Sequence, residues 1–249
     1  MIDLLRSEWF KLRTVRLNLW LPALAVGGLV VVTSLVAVLT PDAEFLDATD
    51  LTAVIGGFSI LVSMMIGVTT SLGITSEFNH DTIRPTLAAT PQRQRVFVAK
   101  AIVSAVFGFL VGTVGAVASY GLGAILLSSR DGEVALSGDD GTLETMFGVV
   151  VLAVLLALFG FGVGLLVRNG PAAVSLVVLW PLLIESIIGG VLSVARVDEP
   201  QQYLPYTSAF TLVTPENSEP GRLYGGVFFG LVAIALVVLG SLVNGRRDV

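Results

Sequence analysis

Six times along this sequence an apolar run is long enough to cross a bilayer, and each run is nearly free of charge. A membrane-crossing helix needs about 20 consecutive apolar residues. The runs lie at roughly 19–39, 52–76, 96–127, 143–167, 172–194 and 223–243. Charged residues make up 13% of the chain, against about 25% in soluble domains, and the mean hydropathy is +0.88. Lipid rather than water must cover most of such a surface. The expected fold is therefore an all-α polytopic membrane protein with six transmembrane helices in a single domain over 19–249. The first run exceeds a signal-peptide core and no small-residue cleavage site follows it, so it is expected to be retained.

Residues 1–18 precede the first span. At 100° per residue, Ile2, Leu5, Trp9 and Leu12 share one face, and Asp3, Ser7, Lys11 and Thr14 share the other. This pattern predicts an amphipathic helix lying in the membrane surface, with Trp9 at headgroup depth and with Trp9, Lys11 and Arg13 as its candidate interfacial residues.

Six spans place both chain ends on one side, and the basic residues choose which. Arg6, Lys11, Arg13, Arg16, Arg84, Arg93, Arg95, Lys100, Arg168, Arg246 and Arg247 fall on the side of the termini; only Arg130, Arg196 and Arg222 of the fourteen basic residues fall on the other. The positive-inside rule makes the termini cytoplasmic. Most acids lie on the opposite side, among them Asp42, Glu44, Asp47 and Asp50 in the first outer loop. Before the sixth span, Tyr203 to Val213 is apolar and aromatic yet too short to cross, which predicts a re-entrant or interfacial segment.

Between the second and third spans runs the polar stretch Glu77 to Lys100, EFNHDTIRPTLAATPQRQRVFVAK, with the chain's only histidine, His80. Thr90-Pro91 reads as an N-cap with proline at the first helical position. Orientation and contact with anionic lipid account for Arg93, Arg95 and Lys100. They account less well for the run Glu77 to Asp81, or for the apolar patch of Ile83, Leu87 and Ala88. Something is expected to dock on this cytoplasmic loop.

Absent motifs narrow the function. A P-loop needs lysine directly after glycine, but Lys11 follows Phe10 and Lys100 follows Ala99. One histidine cannot supply a zinc-protease pair, cysteine is absent, and no Gly-x-Ser-x-Gly elbow occurs. No catalytic, metal or cofactor site is expected. The net charge of −5 argues against nucleic acid as a partner. Glu185 lies inside the fifth span, where a carboxylate costs on the order of 2.5–3.5 kcal/mol to insert. With Thr69 and Thr70 of the second span it is a candidate for a translocation path. The alternatives are an interhelical or interfacial partner for Glu185, and hydroxyls that bond their own backbone. Small-residue rows, Ser104/Gly108/Gly112/Ala116, Gly160/Gly164 and Gly226/Gly230, are candidates for helix contacts.

The chain resembles the permease subunits of ABC-2 type transporters in their six-span bacterial form. The resemblance rests on the EWFKLRT opening (Glu8 to Thr14), on the Glu77 to Lys100 loop, similar to an E…GTIR-TLA-x-PxxR-x…AK pattern, and on the span order with a half-inserted outer segment. Asp81 stands where the pattern has glycine, and Pro85 interrupts it. The resemblance implies an exporter in the bacterial cytoplasmic membrane, made of two permease subunits, as homodimer or related heterodimer, and two ABC ATPase subunits that hold ATP and Mg. It also implies that the N-terminal helix and the loop couple the two kinds of subunit, with Glu77, Thr82, Ile83, Arg84, Thr86 and Leu87 at the docking surface. The alternative is a non-transporting module, a sensor or immunity protein, on the same scaffold. A secondary transporter working alone is disfavoured because no internal repeat links residues 1–127 to 128–249.

Overall fold

In a bilayer only helices and closed barrels satisfy every backbone group internally, and every regular element described here is helical. The computed structural model describes residues 2–40, 48–83, 85, 93–130, 141–214 and 220–246. Arg84, Thr86, Leu87, Arg247, the Thr90-Pro91 cap and most of the two acidic outer loops lie outside the described residues.

Helix α1 spans Ile2–Thr14, α2 Arg16–Leu39, α3 Ala48–Asn79, α4 Arg93–Ser128 and α5 Thr142–Val167. The fifth span is composite. It consists of α6, Gly170–Leu179, a π-helical turn at Trp180–Ile184, and α7, Glu185–Val194. A 3₁₀ turn at Pro200–Tyr203 and the short α8, Pro205–Phe210, precede α9, Arg222–Arg246. Six helices are long and apolar enough to cross a membrane, so the chain is a multi-pass membrane protein. The π turn has a local cause: Pro181 offers no N–H to the helix ladder, and the chain widens by one residue to compensate. The tight connection between the fourth and fifth spans follows from Arg168, left-handed at φ 55°, and from Asn169, whose side chain accepts from the Ala172 N–H at 3.0 Å.

Helices α3 and α5 form the centre. Their apolar windows are 61% and 67% buried, against 17–22% for α2, the composite fifth span and α9. Ile55, Val62, Ile66, Leu152, Leu156, Val177 and Phe229 share the main core. The small-residue rows explain the closeness. A Cβ on Gly160 would overlap the Gly67 carbonyl, and one on Gly164 would press on Ser71 and Ile74, so this row faces α3. Gly108 and Gly112 face Ala153 and Ala157 of α5. Backbones meet here because lipid gives no hydrophobic drive for larger side chains to meet instead.

On the side away from the termini, charged groups tie helix ends together. Arg130 donates to the carbonyls of Ala37, Val38 and Thr40 at 2.7–3.0 Å, capping α2 from the end of α4. Arg222 pairs with Glu144 at 2.8 Å and also donates to Thr145 and the Thr214 carbonyl. The segment from Leu204 to Val213 is wedged between these ends. Its carbonyls at Ser208, Leu212 and Val213 lie where a Cβ on Gly225, Gly148 and Gly56 would be.

Candidate functional site

The most buried side chain of α1 is an acid. Glu8 is 5% exposed, whereas Ile2, on the nominally apolar face, is 80% exposed. A carboxylate is buried only when paired, and two cations meet this one. Lys100, in the second turn of α4 and 5% exposed, donates to Glu8 Oε2 at 2.5 Å and to Glu77 Oε1 at 2.6 Å. Lys11, one turn along α1, donates to Glu8 Oε1 at 2.9 Å and reaches Glu77 Oε1 at 3.5 Å. Glu77 lies in the last turn of α3. Two acids and two bases thus cancel at one point, and they come from three helices far apart in sequence. Burial alone would lower the Lys11 pKa; the Glu8 hydrogen bond and the charges of Glu77 and Glu8 outweigh it and raise the value above the ordinary 10.5.

The junction sits at the root of the 80–92 loop. Past Glu77, α3 ends in a Schellman arrangement, with the Thr82 N–H donating to the Glu77 carbonyl at 3.0 Å and the Asp81 N–H to that of Phe78 at 3.3 Å. That motif needs a left-handed residue, and Asp81 supplies it at φ 52°. Glycine takes this conformation freely; aspartate tolerates it at modest cost. Ile83 then turns inward, 1% exposed, among Ile74, Val96, Phe97, Phe161 and Leu165. The start of the loop, as far as Ile83, is therefore seated between an apolar plug and an ionic junction.

A cleft of about 370 Å³ opens against the junction. Glu8, Lys11, Glu77, Thr82 and Lys100 line its outer part, and Asn18, Thr70, Ser104 and Phe161 its inner part. Thr70 shares its hydroxyl proton between the carbonyls of Gly67 at 3.0 Å and Ala157 at 2.9 Å, which links α3 to α5. Thr69 donates to Met65 of its own helix and is not among the lining residues.

Glu185 belongs to a separate centre. It is fully buried and accepts four hydrogen bonds: from Trp180 Nε1 at 2.9 Å, from the N–H groups of Tyr206 and Thr207 at 2.8 and 2.7 Å, and from the Thr207 hydroxyl at 2.8 Å. Two of these donors are the first free N–H groups of α8. The fifth span thereby caps the outer segment from a distance.

Of the residues singled out in the sequence, the structure brings together Glu77 and Lys11 and sets Thr82 beside them. It holds Ile83 under the loop and places Trp9, half-buried, and Arg13, exposed, on the far side of α1. Glu185 lies apart from Thr69 and Thr70. Glu8 and Lys100 are the junction members that sequence reasoning missed as partners. The available signal was scarcity: the chain has two lysines, and both are here.

A comparison with protein families matches residues 4–179 to a family described as ABC-2 family transporter protein. A comparison with curated proteins gave no match.

Proposed function

Starting from the fact that the chain belongs to the ABC-2 family of transporter proteins, a class of membrane transport components, we propose that it is the permease subunit of an ATP-driven exporter. In this reading the fuel is hydrolysed by a separate ABC ATPase subunit, which holds ATP and Mg, and a second permease subunit completes the pathway. Both termini and the 80–92 loop face the cytoplasm, on the side of the basic excess. The observation that carries the proposal is the Glu8–Lys11–Glu77–Lys100 junction. It fixes the N-terminal helix to both roots of one polar loop, so a push on either is delivered to α3 and α4 together. In this reading Thr82, Arg84, Thr86 and Leu87 supply the docking face, and Glu77 and Ile83 anchor the segment that leads into it. The polar cleft that reaches Thr70 is the inner end of the translocation path in this reading, and Glu185 serves the path by positioning its outer segment.

The test is co-expression with an ABC ATPase partner, followed by copurification, ATPase stimulation and export. Arg84→Glu is expected to abolish stimulation while leaving the fold intact. Unchanged coupling sinks the docking role. Copurification without any transport under hydrolysis favours the non-transporting module instead.

A further inference from the structure

Opposite the ionic junction, α1 closes a second and different cavity. It is an apolar groove of about 500 Å³ between α1, α2 and α4. Trp9, Leu12, Leu19, Val26, Phe107 and Val111 line it, and Arg13 is the single charged residue on its wall. We propose that this groove binds one anionic glycerophospholipid, with an acyl chain in the groove and the phosphate on Arg13.

Three observations identify the occupant. The first is length. From Arg16, at the start of α2, to Gly27, on the groove wall, is eleven residues, or about 16 Å of helix. That is about half a hydrocarbon core, the depth of one leaflet. The second is room. A Cβ on Gly27 would have nothing within 4 Å, so no protein group fills the deep end. The third is charge. Arg13 is exposed and has no acidic partner among the described residues, and Arg6, seven residues earlier, lies on the same face of α1. Glu8, the nearest acid of α1, is already held by Lys11 and Lys100. The Arg13 guanidinium therefore stands on the groove wall with no acidic partner among the described residues, beside Trp9, a residue type that favours the lipid boundary. A phosphodiester bound by guanidinium completes this arrangement; a zwitterionic headgroup would bring its own cation against Arg13.

The site does not depend on which side of the membrane the termini occupy, nor on the export reading. The lipid comes from the leaflet that holds both chain ends. Leu12 lines both the groove and the polar cleft, so the bound chain and the ionic junction grip α1 from opposite sides.

The experiment uses the full chain in phosphatidylcholine vesicles at low salt. A fixed mole fraction of brominated phosphatidylglycerol or of brominated phosphatidylcholine is included. The signal is the part of the tryptophan quenching that Trp9→Phe removes. Phosphatidylglycerol is expected to quench at least threefold more strongly than phosphatidylcholine. Arg13→Gln is expected to erase that preference, Arg13→Lys to retain it, and Val26→Phe to weaken quenching by both lipids. Equal quenching by the two headgroups in the parent chain overturns the proposal. So does a preference that survives Arg13→Gln, or an absence of quenching by either lipid, as when a second copy of the chain covers the groove.

Discussion

Lys100→Met removes the cation that bridges the two buried carboxylates while keeping the volume of the side chain. The structure sets the size of the effect. At an effective dielectric of about 20, each contact at 2.5 or 2.6 Å is worth about 6 kcal/mol, and desolvation of the ions cancels most of it. Removing one partner of a buried pair costs about 3–5 kcal/mol. Lys11 remains beside both acids, and the Glu77 side chain is 13% exposed, so the low end applies, about 3 kcal/mol. That amounts to about a hundredfold rise in the population with α1 detached. The chain has no cysteine, so Leu12→Cys gives a single thiol on the packed face of α1. Its maleimide labelling rate reads detachment directly when opening is faster than labelling. The expected result is a rate about a hundredfold higher with Lys100→Met than without it. Adding Glu8→Gln to Lys100→Met should cost at least about 1 kcal/mol less than Glu8→Gln costs alone, because one removal has already broken the pair. A labelling rate within threefold of the parent, or strict additivity of the two substitutions, refutes the claim that the junction holds α1 down.

Glu185→Ala leaves the N–H groups of Tyr206 and Thr207 buried without an acceptor, and about 3 kcal/mol of stability should be lost in thermal or denaturant unfolding. Glu185→Gln keeps one acceptor oxygen and should lose less, about 1 kcal/mol. Gly160→Ala should destabilise the chain by about 1–3 kcal/mol by driving a methyl group into Gly67, while Gly57→Ala, with open space around it inside a helix, should cost nothing and gain up to about 1 kcal/mol in the same unfolding assay. The Lys11 pKa is raised, so its contribution is complete below the ordinary value of 10.5 and fades as pH climbs through the raised one. The Leu12→Cys thiol should therefore stay equally protected from about pH 7 to 10 and become exposed above that, as read by labelling with a reagent of pH-independent rate.

The six spans are legible in the sequence because lipid leaves a long apolar run no structure but a helix. The composite fifth span is half legible: Pro181 announces a disturbance, but that it becomes a π turn placing Glu185 against α8 depends on packing from another part of the chain. The junction is not legible from periodicity. The hydrophobic pattern of α1 points Ile2 and Leu5 inward, whereas the residue that goes in is Glu8, because Lys11, one turn on, and Lys100, 92 positions away, together neutralise it. Lys100 reads locally as one more orientation charge. The glycine rows are visible as spacing, but which helix each row faces is decided by the fold as a whole. Asp81 is the instructive middle case. Its departure from the glycine of the resembling loop is visible in the sequence, and the left-handed backbone at φ 52° shows why glycine suits that place.

Two kinds of adhesion divide this molecule, and the division bears on how a push would travel. Between α3 and α5 the contact is backbone on backbone, with Gly67 against Gly160 and Gly164 against Ser71. Such a contact leaves few side chains to absorb displacement, so it holds or shifts as a unit. At the rim the contact is ionic and its members are shared: Lys11 and Lys100 each reach both Glu8 and Glu77, at distances from 2.5 to 3.5 Å. Shared charges can exchange partners over a fraction of an ångström without leaving an ion buried alone. A force on the 80–92 loop, seated by Ile83, would enter at the rim, where rearrangement costs least. It would reach Glu77 within two turns of the loop and then pass to a helix whose packing does not yield. On the proposed reading, this order, compliant outside and stiff inside, turns movement of a docked subunit into a shift of α3 rather than into local melting of the loop.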